Sequence, residues 1–118
     1  MDHTHLTRGD ESRERLRALA TWLSDADLAR PMGDGWTVAA AFAHIAFWDR
    51  FVLARWERHL RDGGPVVSLS DDLLDLVNAA ALDQWLALPV RAAVRSAVDA
   101  AEAVDRTIAT LPAETVEA

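Results

Sequence analysis

Apolar residues recur at helical spacing along most of the chain. In the first segment, Leu16, Leu19, Ala20 and Leu23 follow the i, i+3, i+4, i+7 pattern of one buried helical stripe. This pattern predicts a first helix over about residues 10–23. In the segment that follows, residues 24–30, Ser24 precedes Asp27 by three residues. This spacing is typical of a short capped turn.

The second helix is predicted to be the longest, over about residues 37–61. Thr37 can cap its first turn, and the Asp-Gly-Gly-Pro sequence at 62–65 ends it. Because successive residues are about 100° apart around a helix, most positions fall on a broad apolar arc, and this helix is predicted to be the buried centre of the fold. His44 lies inside that arc. The predicted solvent arc contains Ala43, Arg50, Glu57 and Arg61.

Two further helices are predicted, over about residues 70–87 and 90–111. Ser70 is a good N-cap. The two aspartates that follow it interact favourably with the positive end of the helix dipole. Pro89 separates this helix from the next. The last helix has a heptad pattern of apolar residues, which comprises Val90, Val94, Ala97, Ala101, Val104, Ile108 and Leu111.

Composition supports one all-α domain over residues 1–118. Hydrophobic residues make up 51% of the chain, and only nine residues are Gly or Pro, which favours helices over sheets. The net charge of −7 argues against a nucleic acid partner, because a surface that binds phosphates needs positive charge. The absence of cysteine excludes disulfides and thiolate ligands.

The sequence also predicts a cytoplasmic protein that does not enter a membrane. Its longest apolar run, residues 38–48, is half the length of the roughly 20 residues that span a bilayer. The first residues are polar and acidic, whereas a signal peptide begins with basic residues before an apolar segment.

Residues 23–61 resemble the DinB-like superfamily, also called YfiT-like. The resemblance rests on Gly35-Trp36-Thr37 at the start of the second helix and on His44, seven residues after the threonine. This superfamily includes the metal-binding domain of mycothiol-dependent maleylpyruvate isomerases. The resemblance implies an up-down-down-up four-helix bundle.

The resemblance further implies a metal site in which His44 is one of three ligands. In the superfamily, a His-x-x-x-His or similar pair on the last helix supplies the other two ligands to a divalent ion, commonly zinc or nickel. The ion activates a low-molecular-weight thiol or a water for transfer, isomerisation or hydrolysis of a small electrophile, because it lowers the pKa of the bound nucleophile. Here only seven residues follow Leu111, and no histidine follows His59. Either the sequence stops short of the ligand-bearing last helix, or this member has lost the site.

Other residues are poor substitutes for the two further ligands. His59 lies about 22 Å along the same helix from His44, and Asp49 is rotated from it by about 140°. His3 and His5 lie on an N-terminal segment that no feature of the sequence orders. His44 is therefore the one metal ligand that we predict, and the alternative is a core histidine with a hydrogen-bond partner.

Two residues that follow His44 on the same helix are candidates for lining a binding pocket. Trp48 is one turn away and can line a pocket beside His44. Arg55 either extends its charge to the end of the bundle or binds the carboxylate of a thiol cofactor.

Two hypotheses about function follow. The first is a metal-dependent enzyme with a small-molecule substrate and a low-molecular-weight thiol as cofactor. The second is a non-catalytic helical bundle that forms a homodimer or binds another partner through apolar surface that its own helices leave uncovered.

Overall fold

The computed structural model describes the backbone of residues 4–110 and the side chains of residues 11–110. Helices make up most of this part, together with one short antiparallel hairpin. The elements in chain order are α1 (Thr4–Trp22), α2 (Asp25–Leu28), β1 (Pro31–Gly33), β2 (Trp36–Thr37), α3 (Val38–Asp62), α4 (Asp71–Ala87) and α5 (Val90–Ala109).

Side-chain caps fix the starts of three helices. The hydroxyl of Ser24 accepts a hydrogen bond from the backbone N–H of Asp27, whose carboxylate accepts one from the backbone of Ser24 in return. The hydroxyls of Thr37 and Ser70 cap α3 and α4 by accepting hydrogen bonds from the backbone N–H groups of Ala40, at 3.1 Å, and Leu73, at 3.2 Å. Gly63 ends α3 with a left-handed φ of 71°, a conformation that glycine adopts without strain.

The helix bounds predicted from sequence agree closely with the structure except at the beginning of α1. That helix begins at Thr4, six residues earlier than predicted. Residues 4–9 contain no proline, and one glycine in a helix costs only about 1 kcal/mol, so nothing in this segment stops the helix. The predicted end of the last helix, at residue 111, lies outside the described residues.

The hairpin between α2 and α3 was not predicted. Its strands pair antiparallel, and Gly33, Asp34 and Gly35 in its turn all have positive φ. Because β2 leads directly into α3, the hairpin fixes the position of Trp36 beside the first turns of that helix.

The four long helices pack in the order α1, α5, α3, α4. The most extensive contact is between α3 and α5, whereas α1 packs mainly on α5 and α4 mainly on α3. Helices α1 and α4 therefore form opposite edges of the bundle. Small side chains dominate the core, which comprises Leu28, Ala39, Ala40, Phe42, Ala43, Ala46, Trp85, Ala93, Val94, Ala97 and Ala100.

The position of Ala43 corrects one expectation from the sequence. It was predicted on the solvent arc of its helix, but only 3% of its surface is exposed. Helix packing buries a broader arc than the large apolar residues alone define, because alanine permits close approach of a neighbouring helix.

Polar contacts join α1 and α5 outside the core. Arg17 bonds to Glu102, and Arg13 lies 3.4 Å from the carboxylate of Asp105. Among the described residues, no helix has both the length and the apolar character that a membrane span requires.

Arg91 joins the start of α5 to the end of α1. Its guanidinium donates to the carbonyls of Ala20 at 3.0 Å and Leu23 at 2.5 Å, and to the carboxylate of Asp25 at 2.6 Å. The last carbonyls of a helix have no partner within the helix, so one side chain here satisfies two of them. Arg91 therefore fixes the position of α1 on the rest of the bundle.

We predict that Arg91→Ala lowers the free energy of unfolding by about 1–2 kcal/mol, because three charge-assisted hydrogen bonds are lost at once. Urea unfolding followed by circular dichroism measures the change. Arg95→Ala is the matched control, since Arg95 is an exposed arginine one turn further along α5. Equal effects of the two substitutions would contradict the role assigned to Arg91.

Candidate functional site

The site predicted around His44 is an aromatic cluster built from three elements. His44 comes from the second turn of α3, Trp36 from β2 and Trp85 from α4. The ring of His44 lies 5.5 Å from that of Trp36 and 5.4 Å from that of Trp85, both in edge-to-face geometry. The two indoles are 5.6 Å apart. We call these three residues the His44 cluster.

The local sequence explains this arrangement. The cap at Thr37 sets the first turn of α3, so Trp36 lies just before the helix and His44 lies two turns into it. Trp85 is buried on the face of α4 that packs toward α3. Two indoles from separate elements thus hold one imidazole by ring contacts.

The environment of His44 keeps its imidazole neutral. Partial burial lowers the pKa of His44, because desolvation disfavours the charged form. Its ring makes no hydrogen bond with any residue in the described part of the chain, and neither ring nitrogen is sealed from solvent. A neutral imidazole with an available nitrogen can coordinate a metal ion or accept a proton.

Residues 4–110, with side chains from 11 onward, contain no group of three potential metal ligands. The other histidine on α3, His59, uses its Nδ1 to donate to the carbonyl of Gly64 near the end of the helix. His3 and the side chain of His5 lie outside what the structure describes. Within the described residues His44 is thus one potential ligand without companions, whereas zinc sites use four protein ligands, or three with an open position for water or substrate.

The ring contacts continue from the His44 cluster along α3. Phe47 lies 5.6 Å from Trp85 and 5.0 Å from Trp48, and Trp48 lies 5.4 Å from Phe51. The indole nitrogen of Trp48 donates to the side-chain oxygen of Asn78 at 2.7 Å. Trp48 therefore belongs to the same aromatic row as the His44 cluster and is fixed by a polar contact with α4.

Arg55 lies at the far end of this row. Its guanidinium is 6.0 Å from the centre of the Phe51 ring and donates to the carbonyl of Val67 at 3.2 Å. The Nε of Arg55 is buried and has no hydrogen-bond partner among the described residues. Its partners in the described part of the chain are thus an aromatic ring and a neutral carbonyl.

Trp85 and Asn78 were not predicted as site residues from the sequence. Both lie on α4, and their spacing along that helix resembles that of ordinary core residues. No feature of the sequence showed which turn of α4 faces His44, since this depends on the packing of α4 against α3. Trp36 belongs to the motif that carried the family resemblance, but it was not predicted to be a site residue.

Asp49 lies in a separate cavity between α1, α3 and α5. The cavity has a volume of about 290 Å³ and is lined by Ser12, Arg13, Leu16, Ile45, Asp49, Ala101, Val104 and Asp105. Burial and the nearby charge of Asp105 raise the pKa of Asp49. Asp49 and His44 therefore face different surroundings, as their angular separation on the helix predicts.

Comparison with protein families now identifies the fold. The family model described as the DinB superfamily matches residues 8–118. The chain belongs to the DinB superfamily. No curated protein and no solved structure gives a significant match. The prediction of an all-α DinB-like bundle is confirmed, and the match extends well beyond residues 23–61, on which the resemblance rested.

The pKa of His44 predicts how the stability of this DinB-type domain depends on pH. The unfolded chain takes up a proton near the ordinary histidine pKa of about 6.5, whereas the folded domain does so only at lower pH. Stability is therefore lost as the pH falls below about 6.5. Thermal unfolding of the wild type and of His44→Gln between pH 7.5 and about 5 should show a smaller loss in the variant. An equal loss of melting temperature with falling pH in the two proteins would contradict a neutral, desolvated His44.

The raised pKa of Asp49 predicts that stability depends on pH in the opposite direction to the effect of His44. Its folded pKa lies above the unfolded value, so its charge destabilises the fold once the pH exceeds the folded pKa. Asp49→Asn should raise the melting temperature at pH 7 by about 2–5 °C, with the gain shrinking toward pH 4. Asp99→Asn, at an exposed site on α5, is the control and should have no such effect. A gain of the same size at both pH values would contradict the electrostatic explanation.

Proposed function

We propose that this DinB-type domain belongs to a metal-dependent enzyme in which His44 is one ligand of a divalent cation, zinc or nickel. The enzyme acts on a small electrophile with a low-molecular-weight thiol or water as nucleophile, in a transfer, isomerisation or hydrolysis reaction. The observation that carries the proposal is the state of His44, a neutral imidazole whose nitrogens have no partner among the described residues.

This state differs from that of a histidine with a purely structural role. A partly buried polar group is ordinarily held by hydrogen bonds, as His59 is by Gly64. His44 is held by the edges and faces of Trp36 and Trp85, so its orientation is fixed while its nitrogens stay available. Such an arrangement suits a ligand or a base better than it suits a core residue.

The described residues alone do not fit a complete metal site. They supply one imidazole and none of the further ligands that zinc or nickel requires. On this proposal, the missing ligands come from a second chain or from residues outside the described part. We accordingly assign His44 as a ligand and assign no step of the reaction to the cation.

Arg55 and Trp48 are proposed to extend the site along α3. The guanidinium of Arg55 contacts no carboxylate within the described chain, so its charge can bind the carboxylate of a thiol cofactor. Trp48 would line the pocket between Arg55 and the His44 cluster. The cytoplasmic location predicted from the sequence suits a reaction that uses a low-molecular-weight thiol.

A second candidate function is a non-catalytic bundle that binds a partner. It is favoured by large apolar side chains that remain on the surface of both edge helices, including Trp22 on α1 and Leu76 on α4. This alternative predicts a stable protein without metal.

We predict that untagged protein dialysed against zinc or nickel retains near-stoichiometric metal and that His44→Ala loses it, because this substitution removes the one described ligand. Elemental mass spectrometry after exhaustive dialysis measures the content. His59→Ala is the matched control on the same helix and should retain metal at the wild-type level.

Two results would overturn this function. One is a wild-type protein that retains no metal from either solution. The other is His44→Ala retaining as much metal as His59→Ala, which would place the cation elsewhere. Circular dichroism of both variants separates the loss of a ligand from the loss of the fold.

A further inference from the structure

The cavity around Asp49 has the features of a second binding site. It lies between α1, α3 and α5, and its volume of about 290 Å³ is close to the lower end of the range for small-molecule pockets, roughly 300–1,000 Å³. A ligand can reach it from solvent, since 40% of the surface of Ile45 on its wall is accessible. Asp49 and His44 face different surroundings, so this cavity is separate from the His44 cluster.

The walls of the cavity are mostly aliphatic. Leu16 comes from α1, Ile45 from α3, and Ala101 and Val104 from α5. These side chains offer no hydrogen bonds, so they suit a compact apolar group that binds through its contact area. The polar part of the lining comprises Ser12, Arg13, Asp49 and Asp105. These polar side chains decide which charge a ligand can carry.

The positive charges beside the cavity already have carboxylate partners. Arg13 lies 3.4 Å from the carboxylate of Asp105, and Arg17, one turn further along α1, bonds to Glu102. Each of these two arginines on α1 thus meets an acidic residue on α5. The carboxylate of Asp49 is in excess of this balance.

Asp49 is a half-buried carboxylate without a cation of its own. It forms no hydrogen bond or ion pair with any residue that the structure describes. Burial and the like charge of Asp105 both raise its pKa, and no positive charge in the described chain offsets them. Because buried charges in proteins are normally paired, the excess negative charge favours a cationic ligand. The net charge of −7 also attracts cations to the protein.

We propose that this cavity binds a small organic cation, namely a protonated amine with a compact aliphatic body. The carboxylates of Asp49 and Asp105 hold the ammonium group, and the body of the ligand lies against the aliphatic walls. An ammonium group donates up to three hydrogen bonds, so it can serve both carboxylates, and its charge offsets the repulsion between them. This site goes beyond the metal-dependent function proposed above and uses none of its residues.

Three probes of one shape test the charge of the ligand. At pH 7 cyclohexylamine is a cation, cyclohexanol is neutral and cyclohexanecarboxylate is an anion. NMR titration of ¹⁵N-labelled protein should show saturable binding of cyclohexylamine with a Kd of about 1 mM, which is ordinary for so small a ligand. The other two probes should bind at least about 10-fold more weakly, because neither forms a charge-assisted hydrogen bond with a carboxylate. The perturbed amides should lie around Leu16, Ile45 and Ala101.

Two variants separate the effect of the charge from that of the cavity. Asp49→Asn removes the excess charge with little change of shape and should weaken the binding of cyclohexylamine at least about 10-fold. This variant is expected to be more stable than the wild type, so unfolding cannot explain its loss of binding. Ala101→Leu keeps both carboxylates, fills the cavity and should weaken binding to a similar extent. Asp99→Asn is the control, since it removes the same charge from an exposed site on α5.

Four results would each overturn the amine site. They are a wild type without saturable binding of cyclohexylamine up to about 10 mM, ten times the expected Kd, and cyclohexanol binding as tightly as the amine. The others are Asp49→Asn binding as well as Asp99→Asn does, and a folded Ala101→Leu that keeps the wild-type affinity, which would indicate ion pairing at the surface. Metal retention is measured separately with His44→Ala, so a failure of the amine site and a failure of the proposed function are distinguishable.

Discussion

The close approach of α3 and α5 is the contact on which the rest of this structure depends. Alanines supply most of the buried positions on both helices, so the two backbones pack with little side-chain volume between them. Helix α1 then packs on α5 and α4 packs on α3, which places the two remaining helices at opposite edges. The same geometry brings Trp85 to His44 and leaves large apolar side chains exposed on α1 and α4, such as Trp22 and Leu76.

The sequence was sufficient to predict the helices and their caps. Ser24, Thr37 and Ser70 mark helix starts through hydrogen bonds that involve only neighbouring residues, and Gly63 and Pro89 mark ends through their own backbone preferences. Three features were predicted wrongly, namely the start of α1, the exposure of Ala43 and the burial of Leu19, of which 47% is accessible. Polar residues without proline are compatible with either helix or coil, and a small residue is buried or exposed according to the neighbour that packs on it.

The site was predictable only in part. The Gly-Trp-Thr motif and the spaced histidine carried the resemblance to the superfamily, which the family match confirms, but of the three residues of the His44 cluster only His44 was predicted as a site residue. Trp85 could not be found because its contact with His44 depends on the rotation and height of α4 against α3, which local sequence does not specify. The pKa of His44 is likewise a tertiary property, since indoles from two other elements partly bury its ring.

The availability of the His44 imidazole is the central claim, and NMR of its ring nitrogens tests it most directly. In ¹⁵N-labelled protein at pH 7, both nitrogens should show the shifts of a neutral ring, and adding zinc or nickel should perturb them while leaving those of His59 unchanged. A ring that is protonated at pH 7, or nitrogens that do not respond to either metal, would contradict a neutral His44 that is available to bind a cation.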